Sequence, residues 1–443
     1  MARASGFPLV PLSDLIVPRH EQVRVDGVLG DWQAITIKFS GEVLPRERAE
    51  AFKGAMFAAY PGDIVFSKID ARNGAVGLIP ESISKAVVTS EYPVFTPKAD
   101  KLRADYLRLL LRAEHFKADL QRKASGTSGR KRVTPEGFLS LEIPVPPLEE
   151  QDALITAYTG ALARAAQLEQ EAEAIEQAGW RAFETALGIA PPPPLPDRPV
   201  FVARFKDVER WSHEGILRSG HQMPASAGGV SMVPLGQRGK VSYGIQKCPA
   251  NRPAVHARPY LRVANVQRGV LDLREIKYIN VPDEEMPKLR LEVGDVLLCE
   301  GNSPDLVGRG AIWRGEIEDC VHQNHVLRVR VDQERLLPDF VLAVINSGHG
   351  QAYFRSKAKR TTNLASINSK EVAGLPVPDV PIPQQRDLLA ELNRQSVTAQ
   401  AKRTEAAKLR QSAWATFESA LFTASEETDV PPLSVAGRSR VRG

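Results

Sequence analysis

The chain has 443 residues, of which 43% are apolar and 25% charged, and it carries a formal charge of +5. That length exceeds one ordinary domain, the composition is that of globular protein rather than of a disordered or fibrous chain, and the mild positive charge permits a nucleic-acid partner without requiring one. No run of eighteen apolar residues is available for a membrane helix, the opening Met1-Ala2-Arg3-Ala4-Ser5-Gly6-Phe7-Pro8 lacks a secretory apolar stretch, and Cys248, Cys299 and Cys320 have neither zinc spacing nor an even count, so a cytoplasmic setting is expected.

In chain order, residues 64–69 form a β-rich run, 70–74 carry the Asn73-Gly74 turn signal, and 75–79 are apolar again. Residues 105–120 have helical spacing, with Leu107, Leu110, Leu111 and Phe116 on one side. A basic loop containing Gly and Ser follows, then Pro144-Val145-Pro146, which interrupts ladder and helix alike. From Leu154 the apolar or small positions run Tyr158, Ala161, Ala165, Leu168, Ala172 and Ile175, in steps of three and four that predict a long helix with one seam. Pro191-Pro192-Pro193-Pro194-Leu195-Pro196 reads as a stiff extended linker.

The same series then returns. Gly62-Asp63-Ile64-Val65-Phe66 reappears as Gly294-Asp295-Val296-Leu297-Leu298, and Pro144-Val145-Pro146 as Pro376-Val377-Pro378, both 232 positions on. Trp180-Arg181-Ala182-Phe183-Glu184 reappears as Trp414-Ala415-Thr416-Phe417-Glu418, 234 positions on. A second seam runs Leu388, Leu392, Ala399, Ala406, Leu409, Ala413, interrupted by Gln395 and Lys402. Ordered matches at a nearly constant offset mark a tandem duplication. The expected fold is α/β (α+β): a globular unit over 1–148, a long helix over 149–189, a Pro-rich lead-in over 190–231, a second unit over 232–383, a second helix over 384–423 and a disordered tail over 424–443. Two copies of one seam give each helix a matching partner, which favours mutual pairing as in a coiled coil over two helices each packed on its own unit.

Signals for catalysis are poor. Gly126-Thr127-Ser128-Gly129-Arg130-Lys131 is glycine-rich and basic but mis-spaced for a nucleotide loop, and the eight histidines show no metal-ligand spacing, so no cofactor and no metal are expected. Asp63 with Lys68 resembles part of a metal-dependent nuclease site. At the repeat offset, however, Lys68 faces Glu300 while the Gly-Asp frame persists, which suits a scaffold whose copies read different ligands.

DNA contact has better candidates. Arg122, Lys123, Arg130, Lys131 and Arg132 fall within eleven residues, and Arg355, Lys357, Lys359 and Arg360 occupy the comparable place in the second repeat. Basic loops with hydroxyl and amide donors suit phosphate binding. Base reading needs bidentate Arg, Asn, Gln or acidic side chains in the major groove, and Arg72, Asn73, Gln246, Asn251, Asn302 and Gln323 are placed on expected loops; Lys68 is a further DNA-contact candidate. The plainer reading of each is a solvated loop residue.

The run from Gly62 through Asn73-Gly74 to Ala75, and Pro144-Val145-Pro146-Pro147-Leu148-Glu149-Glu150-Gln151, resemble the target-recognition domains of type I restriction-modification specificity subunits. The resemblance covers both repeats, although Ile382-Pro383-Gln384-Gln385 departs from the usual Leu-x-x-Gln form. It implies two target readers spaced by two antiparallel helices, a bipartite site in double-stranded DNA, adenine methyltransferase subunits and a motor-nuclease subunit as partners, and no catalytic centre in this chain. The competing readings are a coiled-coil scaffold without DNA readout and a divergent nuclease or methyltransferase.

Overall fold

The repeat in the sequence is a repeat of topology. The computed structural model describes residues 5–24, 29–46, 55–124, 131–189, 230–303, 306–360 and 364–422. The Pro-rich linker and the tail lie outside the described residues. The chain divides into two units, one built from residues 1–169 with 404–443 and the other from residues 170–403, so the division falls inside both long helices.

The first unit carries a four-stranded antiparallel sheet in the order Ile16–Arg19, Val94–Pro97, Ile64–Phe66, Val76–Leu78. In the second unit the order is Gly239–Ser242, Val326–Val331, Val296–Cys299, Gly310–Ile312, again antiparallel throughout. Each unit adds a second sheet with one parallel pairing, Gln33–Ile37 on Ala86–Thr89 and Ala257–Leu261 on Val321–His322. Each also closes its ends with a short ladder, Leu9–Pro11 on Glu142–Pro144 and Met232–Pro234 on Pro376–Pro378. Pro376–Pro378 is therefore a short strand, a position where a missing N–H does not break a central ladder, while of Pro144-Val145-Pro146 only Pro144 belongs to its strand.

The Gly-Asp frame has a geometric reason. Gly62 and Gly294 sit at φ of 85° and 95°, where a side chain is strained. The following aspartate turns back on the turn, Asp63 accepting from Tyr60 N at 2.9 Å and Asp295 from Glu292 N at 2.8 Å.

The single helix expected over 105–120 is two helices, Ala104–Leu110 and Glu114–Lys123. The second unit shows the same break between Pro338–Asn346 and Gly348–Lys357, where Ser347 caps the new helix through Gly350 N. In the first unit Ala113 offers no side-chain cap, so no residue of the sequence marks the break. Leu107, Leu110, Leu111 and Phe116 are all buried, as the periodicity requires.

The long helices are Leu148–Ala186 and Ile382–Leu421, each about 60 Å at 1.5 Å per residue. They pair antiparallel. In the first unit Ala165, Leu168, Ala406 and Leu409 pack together, and Glu169 holds the Arg410 guanidinium, with Arg410 Nη2 at 2.8 Å. In the second, Ala172 and Ala399 are fully buried and Arg403 makes a two-pronged pair with Glu176 at 2.6 and 2.7 Å. The two polar interruptions of the second seam are each met across the pair. Lys402 donates to Glu171 at 2.6 Å, and Gln395 lies over Gly179, where an added Cβ would stand 3.1 Å from its own.

The ends of these helices complete the cores. Phe183, on the helix that follows the first repeat, packs on Phe340 of the second at 5.8 Å between ring centroids. Phe417, on the last helix, packs on Tyr106 of the first repeat at 6.1 Å. Sequence order alone gives no sign of this exchange.

The start of each helix is held by a fully buried glutamine. Gln151 accepts from Arg103 N at 2.8 Å and donates to the carbonyls of Lys101 and Pro146 at 3.0 and 2.8 Å. Gln385 accepts from Leu337 N at 2.9 Å and donates to the carbonyls of Arg335 and Val380 at 2.9 and 2.8 Å. Every partner is 234 positions on, so the departure in Ile382-Pro383-Gln384-Gln385 spares the residue that makes the contacts.

Candidate nucleic-acid interface

In the first unit, the turn after Ile64–Phe66 carries Lys68, Arg72 and Asn73. Ser67 Oγ accepts from Asp70 N, a short 3-10 turn spans Ala71–Asn73, and Gly74 closes it at φ 101°. A Cβ on Gly74 would meet the Phe39 carbonyl at 2.4 Å, so this turn requires glycine for space as well as for dihedral angle. Lys68 is tied through its backbone to two other segments: its N–H donates to Glu91 O at 3.0 Å, and its carbonyl accepts from Val133 N at 2.8 Å. That places Lys131 and Arg132 beside it.

The basic loop is not uniformly available. Lys131 is exposed, but Arg132 lies 3.3 Å from Glu91, Arg122 pairs with Asp119 on its own helix, and Lys123 donates to Ser140 Oγ at 2.8 Å. Arg130 lies outside the described residues. Asn73 is exposed; the Arg72 Nε is buried without a partner. Glu136, at the start of the next helix, is held below the usual carboxylate range, chiefly by its own backbone N–H and the Thr134 hydroxyl, with the Lys68 ammonium adding to the effect.

In the second unit Glu300 takes the backbone place of Lys68. Its N–H donates to His325 O at 3.0 Å and its carbonyl accepts from Ile367 N at 2.8 Å. Its side chain meets His325 Nδ1 at 2.6 Å. The adjoining residues Gly301–Asn302 pair with Ala365–Ser366, which pairs in turn with Lys359–Arg360. Asn302, Lys359 and Arg360 are thus brought onto one small sheet beside Glu300; the Arg360 side chain is not among those described. Arg355 and Lys357 occupy the last turn of the preceding helix, both half-buried.

Gln246, Asn251 and Gln323 also converge. Ile245 bridges Gln323, Asn324 N donates to Ile245 O at 2.9 Å, and Asn251 Nδ2 donates to the Gln246 carbonyl at 2.9 Å. Residues 323–325 therefore join this group to Glu300. Sequence reading passed over Glu91 and His325, which lie in turns between strands with no local signal; the repeat offset, carried through, aligns them with each other.

The nuclease-like pair is not assembled. Both carboxylate oxygens of Asp63, 1% exposed, are engaged: Arg19 Nε donates at 2.7 Å, Arg19 Nη2 at 3.2 Å, and Thr96 Oγ1 at 2.7 Å. Asp295 is held in the same way by Arg330 at 2.7 and 2.8 Å. Hydrogen bonding to these aspartates raises both guanidinium pKa values. Among the described residues no group of three or more His, Cys, Asp or Glu is arranged to hold a metal ion, and no helix is long and apolar enough to cross a membrane.

Two readers of one topology, each ending in loops of cationic and amide side chains and joined by paired helices, define a class of duplicated recognition protein. The family description "Type I restriction modification DNA specificity domain" matches residues 51–174. The Escherichia coli K12 type I restriction enzyme EcoKI specificity subunit is 21% identical over 264 residues, 59% of this chain and 52% of that protein. The MjaX specificity subunit of Methanocaldococcus jannaschii is 26% identical over 185 residues, 39% of this chain and 43% of that protein. The chain thus spans about half the length of these curated relatives. The crystal structure of the HsdS subunit from Thermoanaerobacter tengcongensis matches 95% of this chain and 97% of its own, at 17% identity and a TM-score of 0.52. A chain of a type I restriction-modification assembly matches 95% of this chain and 98% of its own, at 16% identity and a TM-score of 0.60. Residues 51–174 thus match the DNA specificity domain of type I restriction-modification systems, and the chain resembles the HsdS subunit in fold over nearly its whole length.

Proposed function

We propose that this chain is the sequence-reading subunit of a type I restriction-modification complex, each unit taking one half of a bipartite site in double-stranded DNA. The observation that carries the reading is the pairing of a kept frame with inverted loop chemistry: Gly-Asp turn, sheet order and glutamine latch recur, while Lys68 becomes Glu300 at the same backbone place. Catalysis would preserve the reactive groups in both copies, whereas recognition of two different half-sites changes them and preserves what positions them.

In this reading Lys131, Lys359, Arg360 and their neighbours position phosphates, and side chains of the turn and sheet loops face base edges. The chain works in the cytoplasm without a cofactor, and it directs adenine methyltransferase subunits, with a motor-nuclease subunit added for restriction. Co-expression of the full chain with modification subunits, followed by methylation sequencing of the host DNA, tests this. Adenine methylation at a single bipartite motif is expected, and the pure chain given DNA, magnesium and S-adenosylmethionine should neither methylate nor cut. Turnover by the pure chain, or methylation without a bipartite motif, overturns the reading.

A further inference from the structure

At the position shared by Lys68 and Glu300 the two units keep the same backbone hydrogen bonds while the side-chain charge reverses. Both residues follow the same central strand and make the same two backbone hydrogen bonds, to segments that correspond at an offset of 234. Both are half-buried. The neighbouring positions change as well. Glu91 beside Lys68 corresponds to His325 beside Glu300, and Arg132 corresponds to Ser366.

We propose that this position reads a base in each half-site, and that the two copies read opposite edges of a G·C pair. This rests on the DNA-reading function above and adds to it the residue and the base. The Lys68 ammonium has three donors and no acceptor. The major-groove edge that offers two adjacent acceptors is guanine, through O6 and N7. The Glu300 carboxylate is acceptor only, and the matching edge is the cytosine N4 amino group. Adenine also offers an amino donor, but its N7 lone pair would face the carboxylate, so cytosine is preferred. His325 Nδ1 holds Oε2 at 2.6 Å and leaves Oε1 to accept from the base, which makes His325 a positioning residue.

The test uses the full chain in its modification complex, with methylation sequencing as the readout. Wild type should show a G·C pair in each half-site. Glu300→Gln replaces an acceptor pair by an acceptor and a donor, the pattern that suits adenine. It should lower the preference for cytosine at one position of one half-site by about 10- to 100-fold, with adenine rising and the other half-site untouched. Lys68→Glu should do the equivalent in the other half-site. His325→Gln keeps the carboxylate and should retain cytosine with weaker discrimination, a result that mere loss of structure would not give. A bipartite motif lacking a G·C pair in either half, or an unchanged motif in Glu300→Gln and Lys68→Glu complexes that still methylate, overturns this inference and leaves the DNA-reading function standing. Absence of any bipartite motif in the wild type overturns that function instead.

Discussion

Arg330 occupies in the second unit the place that Thr96 occupies in the first, and both donate to the same buried aspartate position. The register shows it: Phe95 pairs with Ile64 and Val329 with Val296, so the next residues correspond. In the first unit the guanidinium comes instead from Arg19, on the adjoining strand, with Thr96 filling the space between. One buried carboxylate has thus found a cation from two different strands. Removing the cation strands a carboxylate that is 1% exposed, so Arg19→Ala should destabilise the first unit, and Arg330→Ala the second, by about 3 kcal/mol each. Thr96→Arg should recover part of the Arg19→Ala loss by copying the second unit. Thermal melts decide this, and no recovery in the double variant would show that the two arrangements are not interchangeable.

That exchange also shows what one sequence can and cannot reveal. The frame was legible because Gly62-Asp63 and Gly294-Asp295 answer a local demand, a positive φ followed by a turn-capping carboxylate. The helix seam was legible for the same reason, since three-and-four spacing is a local periodicity. The partner of each aspartate was not, because Arg19 and Arg330 reach it from strands far apart in the chain. The insertion of Phe183 and Phe417 into the cores is hidden likewise. Of the candidate site, Lys68, Asn302 and Lys359 could be picked by residue type, but Glu91 and His325 acquire meaning only from the contacts that bring them in.

The ion pairs around the basic loop predict unequal contributions to DNA binding. Lys131 is exposed, whereas Arg132 lies 3.3 Å from Glu91. If each makes one phosphate contact, Lys131→Ala should make the dependence of log K on log salt shallower by about 0.9. Arg132→Ala should change it less, because Arg132 already has an anionic partner. Binding isotherms of the modification complex at several salt concentrations measure both slopes, and an unchanged slope for Lys131→Ala would remove that residue from the interface.

His322 predicts an acid sensitivity of the second unit. The ring is fully buried, its Nδ1 lies 2.7 Å from the Val326 carbonyl and its Nε2 has no partner. Burial first, then Arg328 and Arg330 nearby, push its pKa down to about 4, against the pull of the Val326 carbonyl and Asp295. Between that value and about 6.5 the unfolded chain binds the proton and the folded unit does not. Stability is therefore unaffected above about 6.5 and falls by up to roughly 1.4 kcal/mol per pH unit as pH drops toward 4. Melts of wild type and His322→Asn across this range test it; parallel curves would show that another group carries the acid loss.

The matched glutamines at the helix starts yield the most discriminating test of the duplication. Gln151 and Gln385 each accept one backbone N–H and donate to two backbone carbonyls, and each is fully buried. Replacing Gln385 with Ala leaves those three backbone groups without a side-chain partner, a loss of about 2–4 kcal/mol, with little dependence on pH. Gln385→Glu keeps the shape but, when ionised, points a carboxylate at two carbonyl oxygens and has no proton to donate. Burial and those oxygens should raise its folded pKa above the ordinary value near 4.3, so the folded state binds the proton more readily than the unfolded chain. The contribution to stability is then greatest below that ordinary value and is lost as pH rises through the folded pKa. Relative to wild type, Gln385→Glu should be tolerated best in acid and worst at neutral pH, while Gln385→Ala stays level. Gln151→Glu should repeat that profile in the first unit, because every partner has its counterpart 234 positions away. If Gln385→Glu and Gln385→Ala gave the same pH profile, the amide donors would not be what holds the helix to its domain.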